Sequence, residues 1–268
     1  MSSVRIVVLG SGSAGNCTAL VADQAIVLVD CGFSPKQTRH RMAACGLDPS
    51  KVAHVVLTHP DSDHLNAGWV RTLGGLTGPR LHVARRHHNV VRLMGVQPTA
   101  MEVHDDALEV EGFTFTALRM PHDSLGSCAF RIERREVRIG YATDLGRPTT
   151  ELLEHLRGCP VLCLESNYCP VMQQTSGRPQ ILIDRIMGGR GHLSNHQALQ
   201  VAQELHRTTP LDRLVLLHLS RQCNAPEVVR RLYQQEAPDL LERLVITSQV
   251  EPSAAVDAVP GGHATALF

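Results

Sequence analysis

Five β-propensive residues, His54-Val55-Val56-Leu57-Thr58, deliver the chain into His59-Pro60-Asp61-Ser62-Asp63-His64, which carries four side chains of metal-ligand type within six positions. This constrains the fold more than any other stretch. Such donors work together only if a strand end aims them at partners from elsewhere in the chain. In an extended segment, residues two apart project to the same side, so His59, Asp61 and Asp63 can converge while His64 turns the other way. Imidazole nitrogens and carboxylate oxygens are ligands for Zn²⁺, Fe and Mn²⁺. A solvated loop, with Asp63 capping a following helix, accounts for any one of these residues. Metal binding accounts for all four.

The remainder of the chain supplies a framework for such a loop. Short β-branched runs predict strands at Val4–Leu9, Thr18–Val21, Ala25–Val29, His54–Thr58, Leu81–Ala84, Phe113–Met120, Cys128–Glu133, Glu136–Ala142, Val161–Leu164, Leu214–His218 and Leu244–Thr247. Helices are predicted at Pro35–Cys45, Arg85–Met94, Thr150–Leu156, Ile181–Met187, Asn195–Arg207 and Pro226–Gln235. The first has Ser34 as N-cap, Pro35 at its first position and Gly46 as its stop. Strands that pair early and in the middle, and alternate with helices elsewhere, predict an α/β fold with helices outside two sheets. The 268 residues suffice for one large domain. We place it at 1–250, with 251–268 expected to form a loose C-terminal tail.

Composition removes several classes. With 43% hydrophobic residues, and 26 basic side chains balancing 26 acidic ones, the chain is neither disordered nor a basic nucleic-acid coat protein. No apolar run approaches the ~20 residues of a membrane span, so no membrane partner is expected. The first strand turns to glycine too soon for a signal-peptide core. Eight cysteines without C-x-x-C spacing are expected to be reduced thiols in a cytoplasmic protein. Cys128 and Cys163 sit in apolar strands and are expected to be inert. Arginine clusters at Arg80–Arg92 and Arg131–Arg138 could meet a phosphate backbone, but 24 arginines against two lysines suggest a codon bias. His87-His88 is expected on a solvated helix face. His40, His54, His82, His104, His155, His196, His206 and His263 are expected to be ordinary surface or partly buried residues.

Gly10-Ser11-Gly12-Ser13-Ala14-Gly15 matches G-x-G-x-x-G after a strand, with Asp30 downstream. A dinucleotide site needs a helix to begin there. The sequence instead continues as a hairpin, Cys17–Val21 and Ala25–Val29 about an Asp23-Gln24 turn, so close packing of small residues is the preferred reading.

His59-x-Asp61-x-Asp63-His64 resembles the H-x-H-x-D-H signature of metallo-β-lactamase-fold hydrolases, with one position altered. Its flanks agree: Leu9-Gly10-Ser11-Gly12-Ser13-x-Gly15-Asn16 and Val29-Asp30-Cys31-Gly32. Pro121-His122-Asp123, Ala142-Thr143-Asp144-Leu145-Gly146 and Leu217-His218-Leu219-Ser220 follow in the family's order. Glu165-Ser166-Asn167 and Gly191-His192-Leu193-Ser194-Asn195 resemble the YycJ-like branch, cytoplasmic proteins associated with DNA exonuclease or phosphodiesterase activity. Tyr168-Cys169 departs from the His-Asp usual there. The resemblance runs from Val4 to about residue 230.

It implies a four-layer αβ/βα sandwich with the site at the strand-end edge, and two divalent metal ions. One would be held by His59, Asp61 and His122, the other by Asp63, His64 and His218, with Asp144 bridging. Asp30 would orient ligands from behind. Asp61 replaces a histidine, so Zn is expected generally, with Mn or Fe favoured at the Asp61 site, or else Asp61 points to solvent and one metal remains. The implied chemistry is hydrolysis of a phosphodiester or nucleotide substrate, nucleic acid included, by water activated between the cations. Asp63 would orient that water or take its proton. His192 is a candidate donor to the leaving group, or else a loop residue capping the helix that follows. The alternatives are hydrolysis of a carbon ester, thioester or lactone, and a non-catalytic, regulatory role with a damaged site. Oligomeric state is left open.

Overall fold

In a computed structural model, residues 3–74 and 78–260 are described. One sheet contains β1 (Val4–Gly10), β2 (Cys17–Ala22), β3 (Ala25–Val29), β4 (Val52–Val56), β5 (Arg80–Ala84) and β6 (Met101–His104). The other contains β7 (Ala107–Val110), β8 (Phe113–Met120), β9 (Ser127–Arg134), β10 (Val137–Ala142), β11 (Val161–Glu165), β12 (Arg213–Leu217) and β13 (Leu244–Ile246). A last strand, β14 (Val256–Ala258), returns to the first sheet, giving orders β14-β1-β2-β3-β4-β5-β6 and β13-β12-β11-β10-β9-β8-β7. The helices are α1 (Pro35–Ala44), α2 (His88–Leu93), α3 (Thr150–Leu156), α4 (Pro170–Gln174), α5 (Gln180–Met187), α6 (Asn195–Thr208), α7 (Pro226–Glu236) and α8 (Pro238–Leu241).

Alternating apolar residues dictate the layers. Val4, Ile6, Val8, Val27 and Val29 of the first sheet pack against Phe113, Phe115, Phe130, Tyr141 and Val215 of the second. The residues between them face outward onto helices. Leu162, Leu164 and Leu216 meet Leu152, Leu199, Val229 and Tyr233 of α3, α6 and α7. Val7, Leu28 and Val55 meet Met42 of α1, with Trp69 and Val91. The four-layer αβ/βα sandwich follows. Ser34 caps α1 in a reciprocal box with Gln37, and Gly46 ends its turn at φ +68°.

The 251–268 tail requires correction. Val256 and Ala258 are buried, and β14 pairs antiparallel with Val4–Ile6. A strand of only three residues carries no legible periodicity, and its stability comes from covering the β1 edge. The end of that expected tail, with His263, lies outside the described residues. β6 and β7 also went unpredicted, since Met101-Glu102-Val103-His104 and Ala107-Leu108-Glu109-Val110 are short and mixed in polarity. The chain beyond Gly15 enters β2 and not a helix, as the hairpin reading requires.

His87 is not on a solvated face. A 3₁₀ turn at Arg85–His87 precedes α2 and turns it inward, where Nε2 donates to the Gly126 carbonyl at 2.8 Å. Burial holds His87, like His82, down at about 4. Between the ordinary pKa near 6.5 and that value, the unfolded chain binds protons that these folded sites refuse. Their contribution is therefore complete above about pH 6.5 and is lost as pH falls toward 4, on the order of 2 kcal/mol per histidine by pH 5. The melting temperature of metal-stripped protein is expected to fall between pH 7 and 5. His87→Gln, which keeps a donor for Gly126, should flatten that fall, and parallel curves for the two proteins would exclude His87 as a cause.

Candidate metal centre

Parallel pairing of β3 with β4, and of β10, β11 and β12, gathers the C-terminal ends of these strands along one edge. Open α/β sheets place ligands beyond such ends. Asp30 follows β3, the 59–64 loop follows β4, His122 follows β8, Asp144 follows β10, Glu165 closes β11 and His218 follows β12. Asp30, Asp144 and His218 adopt φ of 61°, 55° and 56°. Left-handed backbone at non-glycine residues costs roughly 1–3 kcal/mol each and persists only where surrounding contacts over-determine it. Here three such turns aim three side chains at one place.

His59, Asp61 and His122 each offer a donor atom within 4.8 Å of the others. Asp61 Oδ2 lies 3.7 Å from His59 Nε2 and 3.9 Å from His122 Nε2. The Asp61 side chain is 48% exposed, yet it faces this cluster. Partial burial raises its carboxyl above the usual range. His122 donates through Nδ1 to the Gly191 carbonyl at 2.9 Å, which leaves Nε2 for the cluster. His59 Nε2 is buried without a hydrogen-bond partner, and burial, followed by the neighbouring His64, holds this ring well below the ordinary histidine range. A neutral imidazole with an unused lone pair is what a cation requires.

Asp63, His64 and His218 form a second group of the same compactness. The Asp30 carboxylate accepts from His64 Nδ1 at 2.7 Å and from the Thr58 backbone and hydroxyl at 2.8–3.0 Å, so it both orients His64 and fixes the start of the loop. His64 Nε2 then lies 2.9 Å from Asp144 Oδ2, and His218 Nδ1 lies 2.9 Å from Asp144 Oδ1. Asp63 Oδ2 is 3.5 Å from His218 Nε2. Asp144 stands between the groups, with Oδ1 also 3.9 Å from His122 Nε2. Burial opposes its charge, but His218 and His64 outweigh burial and hold the carboxyl well below its ordinary range. His218 is conversely pushed up to about 10: burial lowers it, and Asp144 and Asp63 more than compensate. Buried carboxylates and imidazoles interleaved in this way are a donor set for divalent cations.

Two features here were not read from the sequence. Glu165 is fully buried, accepts from the Leu145 and Leu193 backbone at 2.7 and 3.3 Å, and receives His192 Nδ1 at 2.7 Å. His192 lies 3.3 Å from Asp144 Oδ1 and does not cap α6, which Ser194 caps in a box with Gln197. The second is a clamp built from the glycine-rich loop. Ser11 Oγ accepts from the His218 backbone at 2.8 Å, and Asn16 Nδ2 lies 3.0 Å from His64 Nε2. At Gly32, a Cβ would sit 1.8 Å from the Asp63 carbonyl, so only glycine admits the approach. The signals existed, since all these residues lie in stretches flanking the ligand loops, but no spacing rule assigns them partners. Cys128 and Cys163 are buried, with thiols pushed up to about 11 and about 12 by burial, and are packing residues.

Comparison with known proteins agrees with this geometry. Residues 26–219 match the beta-lactamase superfamily domain. An exodeoxyribonuclease YycJ of Bacillus anthracis is 25% identical over 235 residues, covering 85% of this chain and 87% of the relative. Among solved structures, a diphosphatase from the PhnP family superposes with a TM-score of 0.67 at 17% identity, covering 96% of this chain and 98% of that one. Zn(2+)-bound PqqB from Methylobacterium extorquens superposes with a TM-score of 0.68 at 16% identity, covering 94% and 99%. With two face-to-face sheets, helices on both outer faces and a histidine–carboxylate cluster at the strand ends, this chain belongs to the beta-lactamase superfamily and carries the metallo-β-lactamase fold.

Proposed function

We propose that this protein is a metal-dependent phosphodiesterase that hydrolyses DNA at strand ends. The observation that carries the reading is the pair of donor groups meeting at Asp144, with the His192–Glu165 pair beside them. The related exodeoxyribonuclease of Bacillus anthracis, similar over most of both chains, supports the choice of DNA. We assign one divalent ion to His59, Asp61 and His122, another to Asp63, His64 and His218, and Asp144 to both. When bound, such ions act as Lewis acids on a phosphoryl oxygen and make water a nucleophile near neutral pH.

The chain's own groups supply the rest. Asp63 is placed to orient the attacking water and take its proton. Glu165 is fixed by two backbone N–H groups and accepts from His192 Nδ1, so the imidazolium form carries its second proton on Nε2, which can pass it to the departing oxygen and leave the neutral ring protonated at Nδ1. The eight free cysteines are consistent with a reducing, cytoplasmic setting. Among the described residues, no helix is long and apolar enough to cross a membrane.

The test is hydrolysis by purified, metal-analysed protein of a short oligodeoxynucleotide, a small phosphodiester, a thioester and a lactone. Metal-dependent release of nucleotides from DNA ends is the expected result. Turnover confined to the thioester or lactone would transfer the same site to carbon esters, and no turnover with full metal content would favour a non-catalytic role.

Asp61 adds a prediction on metal choice. A carboxylate makes its site harder and more anionic than imidazole would, favouring Mn²⁺ or Fe over Zn²⁺. Mn²⁺ is expected to restore activity to chelated protein better than Zn²⁺ does, and Asp61→His should move the preference toward Zn²⁺. Metal titration followed by mass spectrometry checks the assignment. A single tight equivalent, with Asp61→Ala matching the parent, would leave one metal on Asp63, His64, Asp144 and His218.

A further inference from the structure

A cavity of about 370 Å³ opens directly beside His122, lined by Met120, Pro121, Asp123, Ser124 and Gly126 and by the three arginines Arg119, Arg147 and Arg190. These arginines come from three separate segments: the end of β8, the turn after Asp144, and the loop before Gly191. Backbone contacts bind those segments to the His122 loop. The Arg190 carbonyl accepts from Asp123 N at 3.1 Å, the Gly191 carbonyl accepts from His122 Nδ1 at 2.9 Å, and Gly146 N donates to the Pro121 carbonyl at 2.6 Å. Gly146 permits the junction, since a Cβ there would lie 2.4 Å from the Gly189 carbonyl and 2.7 Å from Arg190 Cα. The arginines are therefore held at a fixed offset from the metal-ligand cluster.

Their charge is not used within the chain. Among the described residues, none of the three guanidinium groups has an ion-pair or hydrogen-bond partner. The one acid in the cavity wall, Asp123, is taken by Arg185, which donates to both of its oxygens. Three like charges around one cavity repel each other, and an anion relieves that repulsion. Guanidinium forks suit phosphate oxygens, which accept two parallel N–H bonds. The volume sits near the lower end of the roughly 300–1,000 Å³ of small-ligand pockets, enough for a phosphate with its sugar.

We propose that Arg119, Arg147 and Arg190 form a phosphate-binding pocket that seats the phosphate next to the scissile one in a nucleic-acid strand, so that strands are preferred to isolated phosphodiesters. The proposal rests on the phosphodiesterase reading above. Phosphate contacts of this kind fix the register of a strand without reading its sequence. They give a chain with no net charge a local anion site, where overall composition suggested little affinity for nucleic acid.

The experiment uses the metal-loaded protein and the double variant Arg147→Gln, Arg190→Gln, whose replaced side chains are exposed and unpaired. Rates are compared on a short single-stranded oligodeoxynucleotide and on bis(p-nitrophenyl) phosphate, which has only one phosphate. The ratio of the two kcat/KM values is expected to fall about tenfold or more, chiefly through the oligonucleotide KM, and the salt dependence should become shallower by about 0.7 in log–log slope per arginine. A ratio within about twofold of the parent's would overturn the pocket. If the parent hydrolyses neither substrate, the phosphodiesterase reading fails and binding decides the pocket separately. Fluorescence anisotropy with the same labelled oligonucleotide should show about tenfold weaker binding to the double variant, and equal binding would overturn the proposal.

Discussion

Asp144→Ala is expected to release most of the bound metal and to lower hydrolysis by more than about 100-fold, the upper range for losing even an outer partner of a metal ligand. The reason is geometric. Its two oxygens lie 2.9 Å from His64 Nε2 and 2.9 Å from His218 Nδ1, and one is 3.9 Å from His122 Nε2, so this one carboxylate reaches both donor groups. Its backbone is held at φ 55° while Thr143 Oγ1 donates to Oδ2 at 2.9 Å, so the carboxylate is fixed in place between the two groups. Because a buried carboxylate flanked by imidazoles also supports the fold, Asp144→Asn, which preserves volume, belongs beside it. Metal content by mass spectrometry and a thermal melt separate the two effects. A folded variant with full metal and parental rate would refute the assignment of Asp144 to both ions.

The second large effect is expected at His192. Its ring forms a further compact group with Asp144, Glu165 and His218, but Nδ1 is taken by Glu165 at 2.7 Å and neither ion is assigned to it, so His192→Ala should keep its metal. Loss of a positioned general acid typically slows the reaction by about 10²–10⁴-fold, and the effect appears in kcat and kcat/KM alike. The loss should be small on bis(p-nitrophenyl) phosphate, whose leaving group needs no proton, and large on DNA. Glu165→Gln keeps the packing but weakens the hold on Nδ1, and should fall between parent and His192→Ala, with a displaced pH profile. Equal losses on both substrates would make His192 a structural residue, and metal loss in the variant would make it a ligand.

Much of this site was legible because its donors are clustered locally. Four potential ligands in six positions after a β-propensive run need no tertiary knowledge to suggest metal chemistry. Resemblance, not spacing, extended the set to His122, Asp144 and His218, which lie 58 to 154 positions beyond His64 in the sequence numbering. Helix ends were legible for the same local reason: Ser34, Pro35 and Gly46 act within one turn of α1. The three-residue strand β14 was not, because its formation depends on an edge over 240 positions away, at Val4–Ile6.

The alternation that makes two sheets with covered outer faces, and a loop whose residue types suit a divalent cation, are thus written in the local pattern of the chain. Only folding brings Glu165 to His192, sets Ser11 and Asn16 against His218 and His64, buries His87, and gathers Arg119, Arg147 and Arg190 around one cavity. Periodicity and capping act over a few residues and leave a repeating trace in the chain. The direction of a side chain across a sheet edge is set by parallel strand ends, left-handed turns and glycine-permitted contacts between distant loops, and these leave no repeating trace in the sequence.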